Sequence, residues 1–469
     1  MNPVVSEVQL EAVGAVVRDR LGLHFPRERL RELEAALRAV AGSLGCDGAD
    51  AAARRIIAEP LDADDLRTLA QALTVGETNF CRDTQVFASL ERDILPELIE
   101  RRRATDRRIR IWSAGCCTGE EPYTVAMILR RLLPDIDDWN VTLLATDINP
   151  DFLRRAQEGV YGAWSFRRTP GWMRRRHFTP RADGRLAVDS RIRGMVTFEE
   201  LNLAEAVYPS VYNQTNAMDV VLCRNVLIYF DAATVERVVR GLRACLLPDG
   251  WLTLGRSERA PGEISDLRLS RVRGEFWYRR HDHPEVVEPR RPPFAVVAPS
   301  RAIPFPGALQ QLFDRGDYAA VARDLAVYLR DGNPSRSDRQ RALRTLAQAC
   351  ANLGRLAEAQ TWCEEALAQN SLDARLYYLH ASILLERGCA MDAETSLQRA
   401  LAADDRFVLA HFALANLLRR GGQPGRARDH FERTLAVLRH CQADEILPDS
   451  EGMTAGRLAE LARRGLSLC

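Results

Sequence analysis

The sequence predicts a multidomain protein with three folded parts. These are a small all-α N-terminal domain, a doubly wound α/β Rossmann-like domain with a small antiparallel β-subdomain, and a C-terminal α-solenoid. Apolar residues at helical spacing through residues 1–75 predict the first part. A strand, a small-residue turn and a helix within residues 109–133 are typical of the second. A 34-residue repeat in the last third of the 469-residue chain predicts the third.

Residues 1–75 are expected to form the N-terminal domain, with helices at about 4–21, 26–43, 48–58 and 62–74. In the second helix an apolar stripe (Leu30, Leu33, Leu37) and three arginines (Arg27, Arg31, Arg38) occupy different faces. Two interpretations of the arginines stay open. Interleaved glutamates favour a solvated face, whereas the functional interpretation is a basic surface that docks an acidic helical partner.

The α/β domain is predicted to start its sheet at residues 109–112, and Pro122 opens an amphipathic helix. The turn between them, residues 113–119, contains only small residues, which let the backbone approach a ligand closely. Glu120 and Glu121 lie where the pyrophosphate of a dinucleotide would rest on the helix N-terminus, and their charges would repel it. A ligand with an ammonium and a sulfonium suits them better, so S-adenosylmethionine is the leading candidate.

Asp147 follows the next predicted strand, residues 141–146. A carboxylate at the carboxyl end of such a strand is placed to bind a ribose diol. The competing interpretation is structural, with Glu120 capping its helix and Asp147 serving only the turn.

The rest of the α/β domain is interrupted by an insert. Residues 178–202 alternate in the way of short antiparallel strands and are expected to form the β-subdomain. The remaining predicted elements are helices at about 84–103, 150–158 and 232–246, strands at 218–223 and 251–255, and a closing hairpin of residues 268–272 and 275–279.

The C-terminal third is predicted to be a repeat array. Residues 281–306 contain seven prolines and are expected to be a semi-rigid linker between the domain at 76–280 and an array at 307–440, with a tail at 441–469. Gly354, Gly388 and Gly422 lie 34 residues apart, and columns of alanine and leucine recur at the same spacing. This pattern resembles tetratricopeptide repeats, with a degenerate earlier unit around Gly316. Such arrays bind a peptide or protein, whose identity the pattern leaves unknown.

Composition excludes several classes of function. The formal net charge is +1, and no lysine is present, which removes Schiff-base, P-loop and lysine-base chemistry. The eleven cysteines form no C-x-x-C pair, so we expect neither a metal site nor disulfides, and a reducing cytoplasm fits.

Nucleic-acid and membrane partners are not expected either. The densest arginine cluster, at residues 101–110, lacks the exposed aromatic side chains of a nucleic-acid site. No window approaches 18 uninterrupted apolar residues and no signal peptide is visible, so membrane insertion is not predicted.

Five motifs occur in order and with compatible spacing over roughly residues 5–280. They are Thr78-x-Phe80-x-Arg82-Asp83, Trp-Ser-Ala-Gly-Cys-Cys-Thr-Gly-Glu-Glu-Pro-Tyr at 112–123, Ala-Thr-Asp-Ile at 145–148, Asn202-Leu203, and Cys-Arg-Asn-Val-Leu-Ile-Tyr-Phe at 223–230. Together they resemble the chemotaxis receptor methyltransferases of the CheR type. The resemblance implies a protein-glutamate O-methyltransferase that uses S-adenosylmethionine, releases S-adenosylhomocysteine and esterifies glutamates on the cytoplasmic helices of methyl-accepting chemoreceptors. C-terminal repeats are an addition in some members, typically in signalling systems other than flagellar chemotaxis.

The resemblance also implies the site. Its cofactor-binding residues would be Thr78, Arg82, Gly115, Glu120, Asp147, Asn202, Leu203, Arg224 and Asn225, and its catalytic residues Tyr229 and Arg224. We expect Asp147 to bind the ribose and Glu120 the ammonium of the methionine part. Arg82 would pair with the methionine carboxylate or with nearby acidic groups. The choice between Glu120 and Glu121 stays open. Tyr229 would orient the acceptor oxygen, and its alternative interpretation is a core aromatic.

Methyl transfer to a carboxylate suits such a residue set. A glutamate with a pKa of about 4.3 is already ionised near neutral pH, so positioning matters more than a strong base or a metal. The chain departs from the family at Cys81, where phenylalanine is usual, and at Arg256, where histidine is usual. Two alternatives remain: a catalytically inactive signalling scaffold that binds S-adenosylmethionine, and a methyltransferase for a small molecule or RNA.

Overall fold

The computed structural model describes residues 5–205, 207–260, 266–281, 305, 307–332, 334–443, 445–450, 453–467 and 469. Its contacts divide the chain into two units, one made of Met1–Ala206 and Met218–Asp282 and the other of Val207–Ala217 and His283–Cys469. Each unit encloses its own clusters of buried apolar side chains.

The first unit begins with the four helices that the sequence predicts. They are α1 (Glu7–Leu21), α2 (Leu30–Val40), α3 (Ala49–Ala58) and α4 (Ala63–Leu73). The start of α1 is fixed by a capping box of Ser6 and Gln9. The predicted apolar stripe of α2 is buried, with Leu33 and Leu37 fully enclosed, so this helix packs as its periodicity indicates.

The arginines of α2 and of the turn before it lie at the surface among carboxylates. Arg38 pairs with Glu34 at 2.8 Å, and Arg27 pairs with Glu11 at the same distance. Exposed pairs of this kind contribute little to stability, typically about 0–1 kcal/mol. They fit the interpretation of a solvated face.

A mixed sheet is the centre of the first unit. The strands, in chain order, are β1 (Arg108–Ala114), β2 (Asn140–Asp147), β3 (Val160–Tyr161), β4 (Phe178–Pro180), β5 (Leu186–Val188), β6 (Val196–Glu200), β7 (Met218–Cys223), β8 (Leu246–Leu254), β9 (Leu267–Val272) and β10 (Glu275–Arg280). Seven of these form one sheet in the order β6-β2-β1-β7-β8-β10-β9. The strands from β6 to β8 pair in parallel, and β10 is antiparallel to both its neighbours.

The helices of this part are α5 (Thr84–Ser89), α6 (Leu95–Arg103), α7 (Glu120–Leu132), α8 (Pro150–Glu158), α9 (Gly171–His177), α10 (Ser190–Arg193) and α11 (Ala232–Cys245). A π-helical turn, Leu90–Ile94, joins α5 to α6 and completes the helix predicted at 84–103. The α/β Rossmann-like fold class and the closing hairpin are confirmed. Since the central strands are parallel, the carboxyl ends of β1, β2 and β7 lie at one edge.

The β-subdomain differs from the expectation. A separate sheet of three strands has the order β3-β5-β4, so it begins at Val160, before the predicted insert at 178–202. Within that insert, β6 pairs in parallel with β2 and belongs to the main sheet. A short alternating segment does not distinguish these two sheets, because both bury one face of the strand.

The second unit consists mainly of consecutive helices. They are α12 (Gly307–Asp314), α13 (Tyr318–Asp331), α14 (Arg336–Asn352), α15 (Leu356–Gln369), α16 (Ala374–Glu386), α17 (Ala390–Ala403), α18 (Val408–Arg420), α19 (Pro424–Leu438) and α20 (Ala455–Ser467). Three helix pairs, from α14 to α19, follow the 34-residue period, which confirms the solenoid. The pair α12–α13 is the earlier unit expected around Gly316.

Two boundaries need correction. The tail predicted at 441–469 includes α20, which packs on α19 as a further helix of the array. Val207–Ala217, placed by the sequence within the domain at 76–280, makes its contacts in the helical unit. Of the linker predicted at 281–306, all but residues 281 and 305 lie outside the described residues.

Candidate functional site

A cavity of about 210 Å³ opens at the carboxyl ends of β1, β2 and β7 in the first unit. Its wall includes nine of the residues predicted for the site: Thr78, Arg82, Gly115, Asp147, Asn202, Leu203, Arg224, Asn225 and Tyr229. Segments distant in sequence converge here because the parallel strands end at the same edge of the sheet.

The turn after β1 forms the floor of the cavity. Gly115 has a φ of +81°, and a Cβ built there would lie 2.3 Å from Cγ2 of Val226. The N–H groups of Gly115 and Cys116 both donate to the carbonyl of Thr146 at 2.8 Å, which ties this turn to the end of β2. A side chain at position 115 would therefore disturb both the turn and the wall opposite it.

Asp147 lies at the end of β2 with its carboxyl group fixed by backbone donors. The N–H of Cys117 donates to Oδ2 at 2.8 Å and the N–H of Asn149 donates to Oδ1 at 2.9 Å. Burial raises the pKa of Asp147 to about 6, opposed by these hydrogen bonds and reinforced by the charge of Glu200. A carboxylate keeps free lone pairs after accepting two hydrogen bonds, so this group can still accept from a ligand.

The two glutamates at the start of α7 have different surroundings. Glu120 is 2% exposed, and its carboxyl group accepts from the hydroxyls of Thr118 (2.6 Å) and Ser165 (2.9 Å). Burial raises the pKa of Glu120. Glu121 lines the cavity, whereas Glu120 is absent from its wall as the described residues define it. The geometry therefore favours Glu121 in the choice that the sequence leaves open.

Arg224 joins two acidic side chains beside the cavity. Its guanidinium donates to Oε2 of Glu121 at 2.8 Å and pairs with Asp83. Arg224 also donates to the carbonyl of Arg82 at 3.1 Å. Two carboxylates around one guanidinium leave a net negative charge in this cluster, which complements a cationic ligand.

The loop after β7 carries Asn225 and Tyr229, and a buried glutamate holds it. The N–H of Asn225, which has a φ of +60°, donates to Oε2 of Glu258 at 2.8 Å. The N–H of Ile228 donates to Oε1 of the same residue at 3.2 Å, and Gly255 N–H donates to Oε2. Glu258 thus satisfies three backbone donors at once and fixes the loop's shape.

Tyr229 lies at the wall of the cavity near the N-terminal helices. Its ring is half-buried, and burial raises the pKa of its hydroxyl, which stays protonated at neutral pH. The guanidinium of Arg29 lies 6.0 Å from the ring centroid. The carbonyl of Tyr229 accepts from the N–H of His24 at 2.8 Å, so the N-terminal helices help position this residue.

The other predicted residues contribute backbone or polar contacts. Arg82 donates to the carbonyl of Glu77, and Asn202 donates from Nδ2 to the carbonyl of Arg20 at 3.1 Å. Leu203 is buried and offers an apolar wall. The carbonyl of Thr78 accepts from Arg167 at 3.4 Å.

Sequence reasoning missed part of the wall. Leu21, the last residue of α1, and Leu23, just after it, line the cavity, and Leu23 forms an antiparallel bridge with Phe230. No local pattern marks these leucines, because their role depends on a contact across some 200 residues. Glu258 was detectable in principle, since it follows Gly255 just after the carboxyl end of β8.

Two cysteines lie in the turn after β1. Burial raises the pKa of the Cys117 thiol to about 12, and it raises the pKa of Cys116 well above its usual value. Both thiols therefore stay protonated at neutral pH. Within the described ranges, no group of three or more His, Cys, Asp and Glu side chains is arranged to hold a metal ion. In the same ranges, no helix combines the length and apolarity needed to cross a membrane.

Comparison with known sequences adds independent evidence. A family profile described as "CheR methyltransferase, SAM binding domain" matches residues 76–273. A probable chemotaxis protein methyltransferase of Rhizobium etli is 36% identical over 45% of this chain and 78% of its own length. Chemotaxis protein methyltransferase 2 of Vibrio cholerae is 33% identical over 46% of this chain and 73% of its own.

One relative extends over the repeats as well. A probable biofilm formation methyltransferase, WspC of Pseudomonas putida, is 28% identical over 91% of this chain and 98% of its own length. The similarity thus includes both the sheet and the helical array, in the same order along the chain.

Proposed function

Because this chain belongs to the CheR family of chemotaxis methyltransferases, we propose that it transfers a methyl group from S-adenosylmethionine to glutamate side chains of a methyl-accepting chemoreceptor. The observation that carries the proposal is the cavity at the carboxyl ends of β1, β2 and β7, where nine of the expected site residues meet. S-adenosylhomocysteine and a glutamate methyl ester would be the products.

The residues around the cavity fit this cofactor. Gly115 leaves the backbone bare where a side chain would meet Val226, so a ligand can approach the turn closely. Asp147 offers the remaining lone pairs of a fixed carboxylate to the ribose hydroxyls. Glu121, within the net negative cluster that it forms with Asp83 and Arg224, would hold the ammonium group. When bound, S-adenosylmethionine supplies a methyl group on a positively charged sulfur.

The chain's own residues would place the acceptor. Tyr229 keeps its proton, so its hydroxyl can donate to one carboxylate oxygen and leave the other free. An acceptor glutamate is ionised near neutral pH, with a pKa of about 4.3, so no residue has to remove a proton from it. Positioning by Tyr229 and by the loop that Glu258 holds would then account for much of the rate enhancement.

The proposed partners follow from the same fold. The cytoplasmic helices of chemoreceptors are the acceptor, and the repeat array is proposed to bind a protein or peptide. The full-length similarity to a biofilm formation methyltransferase supports a chemosensory pathway of that kind over flagellar chemotaxis.

The decisive experiment is methyl transfer to receptor fragments. Full-length protein is incubated with tritiated S-adenosylmethionine and cytoplasmic fragments of the receptors encoded nearby in the genome. We expect label that is released as methanol by mild alkali, because an ester is base-labile and methylated nitrogen is not. The Asp147→Ala protein serves as the matched control and should transfer little label.

A catalytically inactive signalling scaffold is the alternative function. In that case the protein binds S-adenosylhomocysteine by calorimetry while no receptor fragment gains label. Base-stable label on RNA or a small molecule would instead place the substrate in another class.

A further inference from the structure

Val207–Ala217 lies in sequence between β6 and β7 of the sheet, yet it makes its contacts among the helical repeats. Three hydrogen bonds hold it to α13 and α14: Val211 N–H to Oδ1 of Asn352 (3.0 Å), Asn216 Nδ2 to the carbonyl of Ala351 (3.0 Å), and the Tyr318 hydroxyl to the carbonyl of Pro209 (3.2 Å). These bonds involve both the backbone and the side chains of the segment, as in the recognition of a bound peptide.

Apolar contacts accompany the hydrogen bonds. The ring of Tyr212 stacks on that of Tyr378 in α16, with centroids 5.1 Å apart and an interplanar angle of 11°. Val211 is 3% exposed and belongs to the same buried cluster as Leu343 and Leu346 of α14. An aromatic pair of this kind stabilises the contact beyond the apolar area that it buries.

Polar burial makes the fit specific. Asn216 and Asn352 are both fully or almost fully buried, and each uses its amide in a hydrogen bond between segment and array. A buried donor or acceptor left without its partner destabilises the folded state. Removing the segment would therefore leave a buried acceptor at the end of α14, Oδ1 of Asn352, without the hydrogen bond from Val211.

Hydrogen bonds within the segment accompany this contact. Ser210 Oγ accepts from the N–H of Tyr212 at 3.0 Å, and Thr215 Oγ1 accepts from the N–H of Ser210 at 3.0 Å. Both hydroxyl-bearing residues are buried. These bonds satisfy backbone N–H groups of the turn where it is buried against the array.

The face that receives Tyr212 is the groove formed by the first helices of successive pairs. A cavity of about 110 Å³ borders Tyr212 and is lined from α12, α14 and α16 by residues that include Phe313, Arg344, Gln348 and Leu379. The segment therefore fills part of this groove and leaves the adjoining part open.

We propose that Val207–Ala217 is an internal peptide ligand of the repeat array, so that this part of the groove is occupied by the protein's own chain. A peptide from another protein that uses the same contacts needs an aromatic side chain for Tyr378 and a backbone N–H for Asn352. It must also displace the internal segment. A covalently attached ligand acts at an effective concentration on the order of millimolar, so only a partner that binds more tightly can compete.

Hydrogen exchange of the full-length protein, without any cofactor, tests this proposal. We expect the amides of Val207–Ala217 to be protected in the wild-type protein because the array holds them. Tyr212→Ala should raise their exchange at least tenfold by removing the stacked ring. Tyr212→Phe, which keeps the ring, should change it less than threefold.

The array side gives the reciprocal measurement. Tyr378→Ala should raise the exchange rate of the same amides, and Tyr378→Phe should not. The amides of Val408–Arg420 and Met218–Cys223 should stay protected and serve as folding controls. If Tyr378→Ala unfolds the array, the comparison of Tyr212→Ala with Tyr212→Phe tests the proposal by itself. The proposal is wrong if Val207–Ala217 exchanges at unprotected rates in the wild-type protein, or if Tyr212→Ala leaves its exchange unchanged. Neither result bears on methyl transfer, so the two proposals fail independently.

Discussion

The turn after β1 and the turns of the repeat array both place glycine in left-handed backbone, for different purposes. Gly115 has a φ of +81°, and a Cβ there would lie 2.3 Å from Val226. Gly422, with a φ of +72°, follows α18, and a Cβ there would meet nothing within 4 Å. The first glycine provides space as well as conformation, whereas the second provides conformation only.

The two regions also differ in the contacts that determine their local structure. At the sheet edge, several site residues depend on partners distant in sequence, as Asn225 does on Glu258. In the array, a period of 34 residues specifies each helix pair through its neighbours. The former depends on a few irreplaceable contacts, and the latter distributes its stability over many similar ones.

The largest effect should come from the glycine pair. Gly115→Ala should weaken binding of S-adenosylhomocysteine about 100-fold, because backbone strain of about 1–3 kcal/mol adds to overpacking of similar size. Gly422→Ala, its matched control, should leave that affinity unchanged and lower stability by about 1 kcal/mol. Calorimetry and thermal unfolding give the two readouts. Equal affinities in both variants would contradict the different roles of the two glycines.

A smaller effect is expected at the carboxylate that holds the loop after β7. Glu258→Gln should lower kcat/KM about thirtyfold, since an amide NH₂ would face backbone donors now satisfied, at a cost of about 2 kcal/mol. Glu236→Gln removes an exposed pair with Arg240 on α11 and should change little. If the Glu258→Gln protein kept wild-type kinetics, Glu258 would have no role in positioning the loop after β7.

The pH dependence of cofactor binding should sharpen the assignment of Asp147. Its pKa of about 6 in the free protein means that a ligand requiring the carboxylate displaces a proton below that pH. Affinity for S-adenosylhomocysteine should therefore be nearly constant above pH 7 and fall about tenfold between pH 7 and 5. Asp147→Asn cannot ionise and should bind weakly, without this fall. An identical pH profile in both proteins would argue against the ribose role.

The smallest effect is expected from the tyrosine at the acceptor end. Tyr229→Phe keeps the ring but loses the hydroxyl, so kcat should fall about fivefold, the equivalent of one hydrogen bond of about 1 kcal/mol. The affinity for S-adenosylhomocysteine should not change. Steady-state kinetics with a receptor fragment would separate the two parameters, and an unaltered kcat would make Tyr229 a packing residue.

Much of the fold was predictable because its signals are local. The strand, small-residue turn and helix around Gly115, and the spacing of Gly354, Gly388 and Gly422, each depend on residues close in sequence. The boundary of the β-subdomain was not predictable, since β6 joins the main sheet through a partner some 50 residues away. A period of two residues describes a strand but not its neighbour.

The site was predictable in its membership more than in its details. Adjacent carboxylates at 120 and 121 look equivalent in the sequence, but a helix turns about 100° per residue. One side chain therefore meets Ser165 and Thr118 in the interior, while the other faces the cavity and Arg224. The docking of Val207–Ala217 onto the array had no sequence signal of this kind, since its partners begin about 100 residues later.

The two thiols of the turn after β1, next to Asp147, have a consequence for the protein's chemical durability. Alkylating agents and peroxides react with the thiolate, and the raised pKa of the Cys117 thiol keeps it protonated at pH 7. Cys117 should therefore resist iodoacetamide and hydrogen peroxide while the fold is intact.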